Sequence, residues 1–297
     1  MKPSRIFALG FFDGVHLGHQ ALLRECVRLA SEYGAEPAAI TFDAHPRALF
    51  EPEPPKLLTA LEDRKALLEQ YGIRYVQVLP VTDAVMSTPW EDFLENLRRD
   101  GAAGFVCGHD FRFGFRGQGN GQKLLDYCAR EGLPCTVIPE QVLEGVTLSS
   151  SHIRILLEAG AAQEAARFLG HPHIISGEVT QGRKIGRTIG VPTANLKLPE
   201  GQLCPRLGVY AAVACFGGQR HIAVANIGSR PTVGGRHVTV EPWILDYAGD
   251  LYGREITLEF YYFIRPEQKF PDLEALKAEI HRNAEETRAY LQTTLTE

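Results

Sequence analysis

Ile6-Phe7-Ala8-Leu9-Gly10-Phe11-Phe12-Asp13-Gly14-Val15-His16-Leu17-Gly18-His19 is where the reading of this chain begins. Four apolar residues make a short buried strand and a turn containing Gly10 and Gly14 follows. Leu22, Leu23, Cys26, Val27 and Ala30 then recur at the spacing of a helix with one apolar face. Strand, turn and helix in that order put His16 and His19 at the helix N-terminus. Free backbone N–H groups and the positive end of the helix dipole converge there, so the spot suits an anion such as a triphosphate. Phe12, Asp13 and Gly14 form the phosphate-facing turn in this reading, and Gly18 lets a ligand approach the backbone.

With 10 His and 29 Gly in 297 residues, a His-x-Gly-His pairing arises by chance about 0.03 times per chain. Requiring Phe12-Asp13-Gly14 just before it removes nearly four further orders of magnitude. Two bland readings compete: histidines that merely cap or pack at a helix start, and a zinc site on the shared face of His16 and His19. No third nitrogen or sulfur ligand lies at metal spacing for the second.

Working outward, strand-like runs alternate with amphipathic helices from Arg5 to about Gly170, the pattern of a parallel sheet wrapped by crossovers. The strands are Ile6 to Leu9, Ala38 to Phe42, Tyr75 to Leu79, Gly104 to Cys107 and Cys135 to Ile138. Thr59 with Glu62, and Thr88 with Glu91, read as capping boxes, while Gly34, Gly72, Gly101 and Gly132 mark helix ends. Residues 1–170 are therefore expected to form a doubly wound α/β domain of Rossmann-like type. From His171 the pattern changes to short β runs separated by Gly and Pro: Ile174 to Thr180, Gly208 to Cys215, His221 to Ile227 and Glu255 to Phe263. That reads as a small β-barrel in residues 171–297. A closing helix spans Asp272 to Leu291, with Leu273, Leu276, Ile280, Ala284 and Tyr290 as its apolar positions.

At 44% hydrophobic and 23% charged residues, the composition is that of an ordinary globular protein, and no apolar run approaches the ~20 residues of a membrane span. The apolar run at Ile6 is too short for a signal-peptide core. Six cysteines without a CxxC pair read as reduced thiols, which points to the cytoplasm. A formal charge of −5 argues against a nucleic-acid or membrane partner. A homo-oligomer is compatible with the sequence but not specified by it.

Three further segments fall where parallel sheets bind ligands: Thr41 to Pro46 with His45, Gly108 to Gly114 with Asp110, Phe111 and Phe113, and Ser149 to Arg154. Ser150, Ser151 and Arg154 at a helix start make a second phosphate grip, although serines there are ordinarily caps. In the second half, Gly182 to Gly190 is a Gly-rich basic loop. Gly182 and Gly186 can wrap phosphates while Lys184 and Arg187 neutralise them. It is not a P-loop, and a solvated basic hairpin explains it as well. Thr193 and Asn195 supply the oxygen ligands that Mg²⁺ accepts beside substrate phosphates. Glu241 is a candidate base, although a glutamate on a strand is ordinarily exposed.

Taken in order, these motifs together with Asn226 to Thr232 and Asp250 to Gly253 resemble the bifunctional prokaryotic riboflavin kinase/FAD synthetase family over nearly the whole chain. The resemblance implies an N-terminal FMN adenylyltransferase of the His-x-Gly-His superfamily and a C-terminal riboflavin kinase with a six-stranded barrel. ATP, riboflavin, FMN and FAD are the implied ligands, with Mg²⁺ accompanying ATP. His16 and His19 would stabilise charge on the ATP phosphates, Ser150, Ser151 and Arg154 would hold the β and γ groups, and His45, Asp110, Phe111 and Phe113 would lie by the flavin or nucleotide. Glu241 would deprotonate the ribityl hydroxyl, and Thr193 and Asn195 would bind metal and phosphate. Trp243 and Asn283 stand at positions that the resemblance links to flavin contacts. Two rivals remain: an aminoacyl-tRNA-synthetase-like nucleotidyltransferase, whose ATP signature His-Leu-Gly-His resembles, and a flavin-binding regulatory protein without turnover.

Overall fold

The computed structural model describes residues 3–181, 190–232 and 235–295. The chain forms two compact units: Met1–Leu57 with Leu61–Ser150, and Leu58–Ala60 with Ser151–Glu297. The division falls inside a helix, twenty residues before the Gly170 at which the sequence pattern changes.

The first unit runs β1 (Arg5–Leu9), α1 (Leu17–Glu32), β2 (Glu36–Phe42), α2 (Leu61–Gln70), β3 (Tyr75–Leu79), α3 (Asp83–Met86), α4 (Trp90–Arg99), β4 (Ala102–Gly108), α5 (Gly121–Glu131) and β5 (Cys135–Ile138). A two-residue hairpin, β6 (Val142–Leu143) and β7 (Val146–Thr147), follows, and α6 (Ser150–Ala159) begins at its edge. The five main strands form one parallel sheet in the order β3-β2-β1-β4-β5. All five expected strands are present, with β2 and β4 extended by two or three residues. Phe7, Leu9, Ile40, Phe105 and Cys107 fill one face of the sheet and are almost wholly buried. Because the chain leaves β1 on one side to make β2 and returns on the other to make β4, the strand order reverses between β1 and β4. A ligand crevice opens beyond the C-terminal ends of strands at such a reversal.

The expected helix ends at Gly34, Gly72, Gly101 and Gly132 all have positive φ. The Thr88 capping box does not form. The residue before α4 is Pro89, which makes no side-chain cap, and the Thr88 hydroxyl instead donates to the Ala84 carbonyl at 3.2 Å. The short helix α3 lies just upstream, so its unsatisfied C-terminal carbonyls compete for that hydroxyl.

The second unit continues α6 and adds α7 (Ala162–Leu169), β8 (His173–Glu178), β9 (Leu196–Lys197), β10 (Gly208–Phe216), β11 (Gln219–Thr232), β12 (Gly235–Ile244), β13 (Glu255–Arg265) and α8 (Leu273–Thr294). Six strands pair antiparallel in the order β8-β13-β10-β11-β12-β9. A bridge between Val179 and Leu196, and a 2.8 Å hydrogen bond from the Thr180 N–H to the Asn195 carbonyl, bring the two edges together into a nearly closed barrel. The interior is filled by Ile175, Ala212, Ala214, Ala225, Ile227 and Phe260, a mix of small and large side chains.

Asp272 caps α8, its carboxylate accepting from the Ala275 N–H at 2.8 Å. The face that α8 buries differs from the expected one. Glu279, Asn283, Ala284, Thr287 and Leu291 are buried, while Leu273 is 57% exposed. Leu276 and Ile280 line a cavity instead of the core. The helix meets the barrel along an i, i+4 row that carries polar side chains, which an apolar count passes over.

Candidate active sites

In the first unit, β1 ends at Leu9 and the chain turns through Phe12 to Val15, closed by the Val15 N–H donating to the Phe12 carbonyl at 3.1 Å. The turn is strained: Phe12 and Val15 hold φ of 59° and 38°, where side chains other than glycine rarely sit, and Gly14 takes 80°. Such strain costs on the order of 1–3 kcal/mol per residue and persists only where surrounding packing enforces it. Gln20, itself buried, donates its amide to the Val15 carbonyl at 3.0 Å, and Ser150 donates its hydroxyl to the Asp13 carbonyl at 2.9 Å.

His16 is the N-cap of α1 and its Nδ1 accepts from the His19 N–H at 3.4 Å. The two imidazoles stack, with centroids 3.7 Å apart and planes 20° off parallel. Gly18 makes room for a neighbouring side chain. A Cβ there would sit 3.1 Å from Cε1 and 3.2 Å from Nδ1 of His16, so the space it leaves holds the histidine ring. Burial holds His19 well below the ordinary imidazole range, and the neighbouring His16 and Arg64 push it further the same way. His19 is thus a neutral imidazole at pH 7, a hydrogen-bond donor instead of a cation.

A cavity of about 470 Å³ opens beyond β1 and β4. Five expected residues meet on its wall: His19, His45, Asp110, Phe111 and Phe113. Phe111 stacks on Phe113 at 5.8 Å, and Phe93 and Trp90 pack behind Phe113 at 5.5 and 6.4 Å, making an aromatic slab. His45 caps a short 3-10 turn by accepting from the Arg47 N–H at 3.1 Å and meets the Phe11 ring edge-on. Phe12, Asp13 and His16 are buried behind this wall. Ser151 is exposed and Arg154 half-buried on the first turns of α6.

Arg64 is absent from the expected set. It is fully buried, with its guanidinium 4.5 Å over the Phe11 ring and Nη1 donating to the Phe11 carbonyl at 3.1 Å. A sequence signal existed. Arg64 shares the helical face of Leu67 and Leu68, both buried, and a charge in that register points inward.

In the second unit, Thr193 lines two cavities, of about 380 and 400 Å³. The first is walled by Val179, Pro192, Pro242, Tyr247, Asp250 and Tyr252. The second holds Glu241, Asn226, Trp243, Arg265, Phe270 and Asn283. Glu241 stands opposite Asn226 in the β11–β12 register, and its Oε1 accepts from the Thr239 hydroxyl at 3.0 Å. The Ala194 N–H donates to the Pro242 carbonyl at 2.9 Å, which fixes Thr193 beside β12. Asn195 holds the barrel seam through its carbonyl and does not line either cavity. Arg265 and Glu267 join the second cavity without having been expected. Gly182, Lys184, Gly186 and Arg187 lie outside the described residues.

A family model described as FAD synthetase matches residues 1–152, and one described as riboflavin kinase matches residues 169–291. A bifunctional riboflavin kinase/FMN adenylyltransferase of Listeria monocytogenes is 35% identical over 97% of this chain and 92% of its own length. The chain belongs to the bifunctional riboflavin kinase/FMN adenylyltransferase family. A Bacillus subtilis member of the riboflavin kinase/FMN adenylyltransferase family is 34% identical over 97% of this chain and 93% of its own. A solved structure described as a macrolide-efflux protein from Streptococcus pneumoniae covers 97% of this chain and 95% of its own with a TM-score of 0.87 at 28% identity. Among the described residues of this riboflavin kinase/FMN adenylyltransferase family member, no helix is long and apolar enough to cross a membrane.

Proposed function

We propose that FMN is adenylylated to FAD in the cavity beside His19, and that riboflavin is phosphorylated to FMN in the paired cavities that meet at Thr193. The observation that carries the first assignment is the stacked His16–His19 pair at the N-terminus of α1, with His19 opening on an aromatic-walled cavity at the strand-order reversal. Residues 1–170 carry adenylylation and 171–297 phosphorylation; α6 and α7 lie largely between the two matched spans.

In the first reaction a phosphate oxygen of FMN attacks the α-phosphorus of ATP, the bond to the β-phosphate breaks, and pyrophosphate leaves. His19 donates its N–H to a phosphate oxygen as charge develops. A preorganised donor of this kind contributes about 10² to 10³ in rate. The Phe111–Phe113 slab offers a face on which a flat ring can stack.

In the second reaction Glu241 takes the proton of the ribityl hydroxyl, whose oxygen attacks the γ-phosphorus as ADP leaves. The Thr239 hydroxyl orients the carboxylate for this transfer. Thr193, at the junction of both cavities, is a hard oxygen donor suited to Mg²⁺. Among the described residues no cluster of three His, Cys, Asp or Glu forms a protein cage. That fits an ion held mainly through substrate phosphates. When bound, Mg²⁺ supplies charge neutralisation on the transferring phosphate. Six unpaired cysteines suit a cytosolic location.

Riboflavin, ATP and Mg²⁺ are incubated with the native chain, His19→Ala and Glu241→Gln, and FMN and FAD are followed by chromatography. His19→Ala is expected to make FMN normally and to slow FAD formation by about 10² to 10³. Glu241→Gln should slow FMN formation by about 10² to 10⁴ yet convert supplied FMN to FAD. Equal loss of both activities in either folded variant sinks the two-site assignment. Absence of any turnover by the native chain supports a regulatory binder instead.

A further inference from the structure

Arg64 has no place in the chemistry described so far, yet it is the largest fully buried side chain among the described residues. Its Nη1 donates to the Phe11 carbonyl, which also accepts from the buried Thr41 hydroxyl at 2.7 Å, so one carbonyl at the end of β1 is held from two elements. The guanidinium plane covers the Phe11 ring, whose other contacts are His45 at 5.2 Å and Phe42 at 6.3 Å. The next residue is the strained Phe12, whose ring lies edge-on to His19 at 5.3 Å. Nε and Nη2 of Arg64 make no hydrogen bond to another described residue. Burying a cation is costly unless opposite charges and hydrogen bonds offset it, and here only one of its nitrogens has a hydrogen-bond acceptor among the described residues.

We propose that Arg64 is a positioning residue for adenylyl transfer: by gripping the Phe11 carbonyl and ring it holds the Phe12 turn against His19 and so sets the orientation of that imidazole. This rests on the assignment of His19 to the adenylylation site. Arg64 faces the Asp13 and Asp43 carboxylates as well as His19. His19 in turn faces His16 from its own helix and Arg64 from α2, and shares its cavity with Asp110, His45, Arg47 and Arg112. Burial pulls Arg64 down to about 10 while Asp13 and Asp43 oppose it, which leaves it a cation at neutral pH. A cation there disfavours a second charge on His19.

The test compares the full-length chain with Arg64→Met, Arg64→Lys, His19→Ala and the double variant His19→Ala/Arg64→Met. FMN adenylylation is measured from pH 5 to 8, and riboflavin phosphorylation and a thermal melt report folding. Arg64→Met is expected to lower adenylylation kcat by up to about 100-fold, the scale of a misplaced reacting group. KM for ATP should stay near native, and the acid limb of the rate profile should move to higher pH as His19 becomes easier to protonate. Arg64→Lys keeps the charge without the planar fork, so kcat falls while the acid limb stays; it carries the test if Arg64→Met does not fold. In the His19→Ala background the Arg64→Met change should add little, because the two act as one unit. A native rate in Arg64→Met, or an undiminished loss in the His19→Ala background, overturns the proposal and leaves the site assignment standing. A native adenylylation rate in His19→Ala removes the site assignment and the proposal with it.

Discussion

At the scale of single residues, the His16-Leu17-Gly18-His19 run was legible because its chemistry depends on local order: strand, tight turn, helix start. Proximity across the sheet was legible for the same reason, since His45, Asp110, Phe111 and Phe113 all follow strand ends, and they meet His19 on one cavity wall. Arg265 and Glu267 were passed over because a charge near a strand end reads as solvated until the packing around it is known, and Arg64 although its register with Leu67 and Leu68 points inward. The contact of Gly18 with the His16 ring was not legible, since no spacing rule reveals that a neighbouring ring fills the space. That contact yields a prediction. Gly18→Ala forces the His16 ring to move by a few tenths of an ångström, or the helix start to shift, and either disturbs the His16–His19 stack. Adenylylation should fall roughly 10-fold, below the cost of a full ångström of misplacement, with riboflavin phosphorylation kept. Steady-state rates of both reactions on the same preparation check it, and an unchanged FAD rate means the His16 ring tolerates displacement.

At the scale of elements, strands were easier to place than caps. The five parallel strands are buried apolar runs, whereas the Thr88 hydroxyl chooses between two helix ends that local sequence presents equally. The closing helix α8 shows the limit of apolar periodicity, because its buried row carries Glu279, Asn283 and Thr287. Glu279 lies between two arginines: its Oε1 is 3.1 Å from Arg265 Nε, and its other oxygen pairs with Arg282. Arg265 lines the Glu241 cavity and sits 5.5 Å over the Phe270 ring. Burial, and Arg282 to a lesser degree, push Arg265 below the ordinary guanidinium value, so it depends on Glu279 for compensation. Glu279→Ala leaves Arg265 without that partner and is expected to destabilise the barrel by up to about 3 kcal/mol. It should also raise KM for riboflavin, since the cavity wall loses its brace. Urea unfolding and kinase kinetics on that variant test this; native values in both would mean α8 braces the barrel by apolar packing alone.

At the scale of the whole molecule, the change from alternating helices and strands to Gly- and Pro-punctuated β runs revealed two architectures. The division at Ser150 did not follow from it, because α6 and α7 carry a helical pattern yet group with the barrel. Each unit holds a histidine kept neutral, the half-buried His19 in the first and the buried His173 in the second. His173 is 1% exposed at the start of β8 beside Phe260, and burial, aided by His171, depresses it to about 3 from an ordinary 6.5. Between these values the unfolded chain binds a proton that the folded barrel refuses. Stability therefore rises with pH across that window and is lost progressively as pH falls from about 6.5 toward 3. Acidification from pH 7 to 5 should lower the temperature at which kinase activity is lost irreversibly, and His173→Leu should flatten that dependence by removing the group that must stay uncharged. The thermal loss of FAD synthesis from supplied FMN should keep its own acid sensitivity in His173→Leu, because His19 titrates in the same sense within the other unit. Heating the native and variant chains at both pH values and assaying each activity separately gives the comparison. An unaltered pH dependence of the kinase half in His173→Leu would assign the acid sensitivity of the barrel to its carboxylates instead.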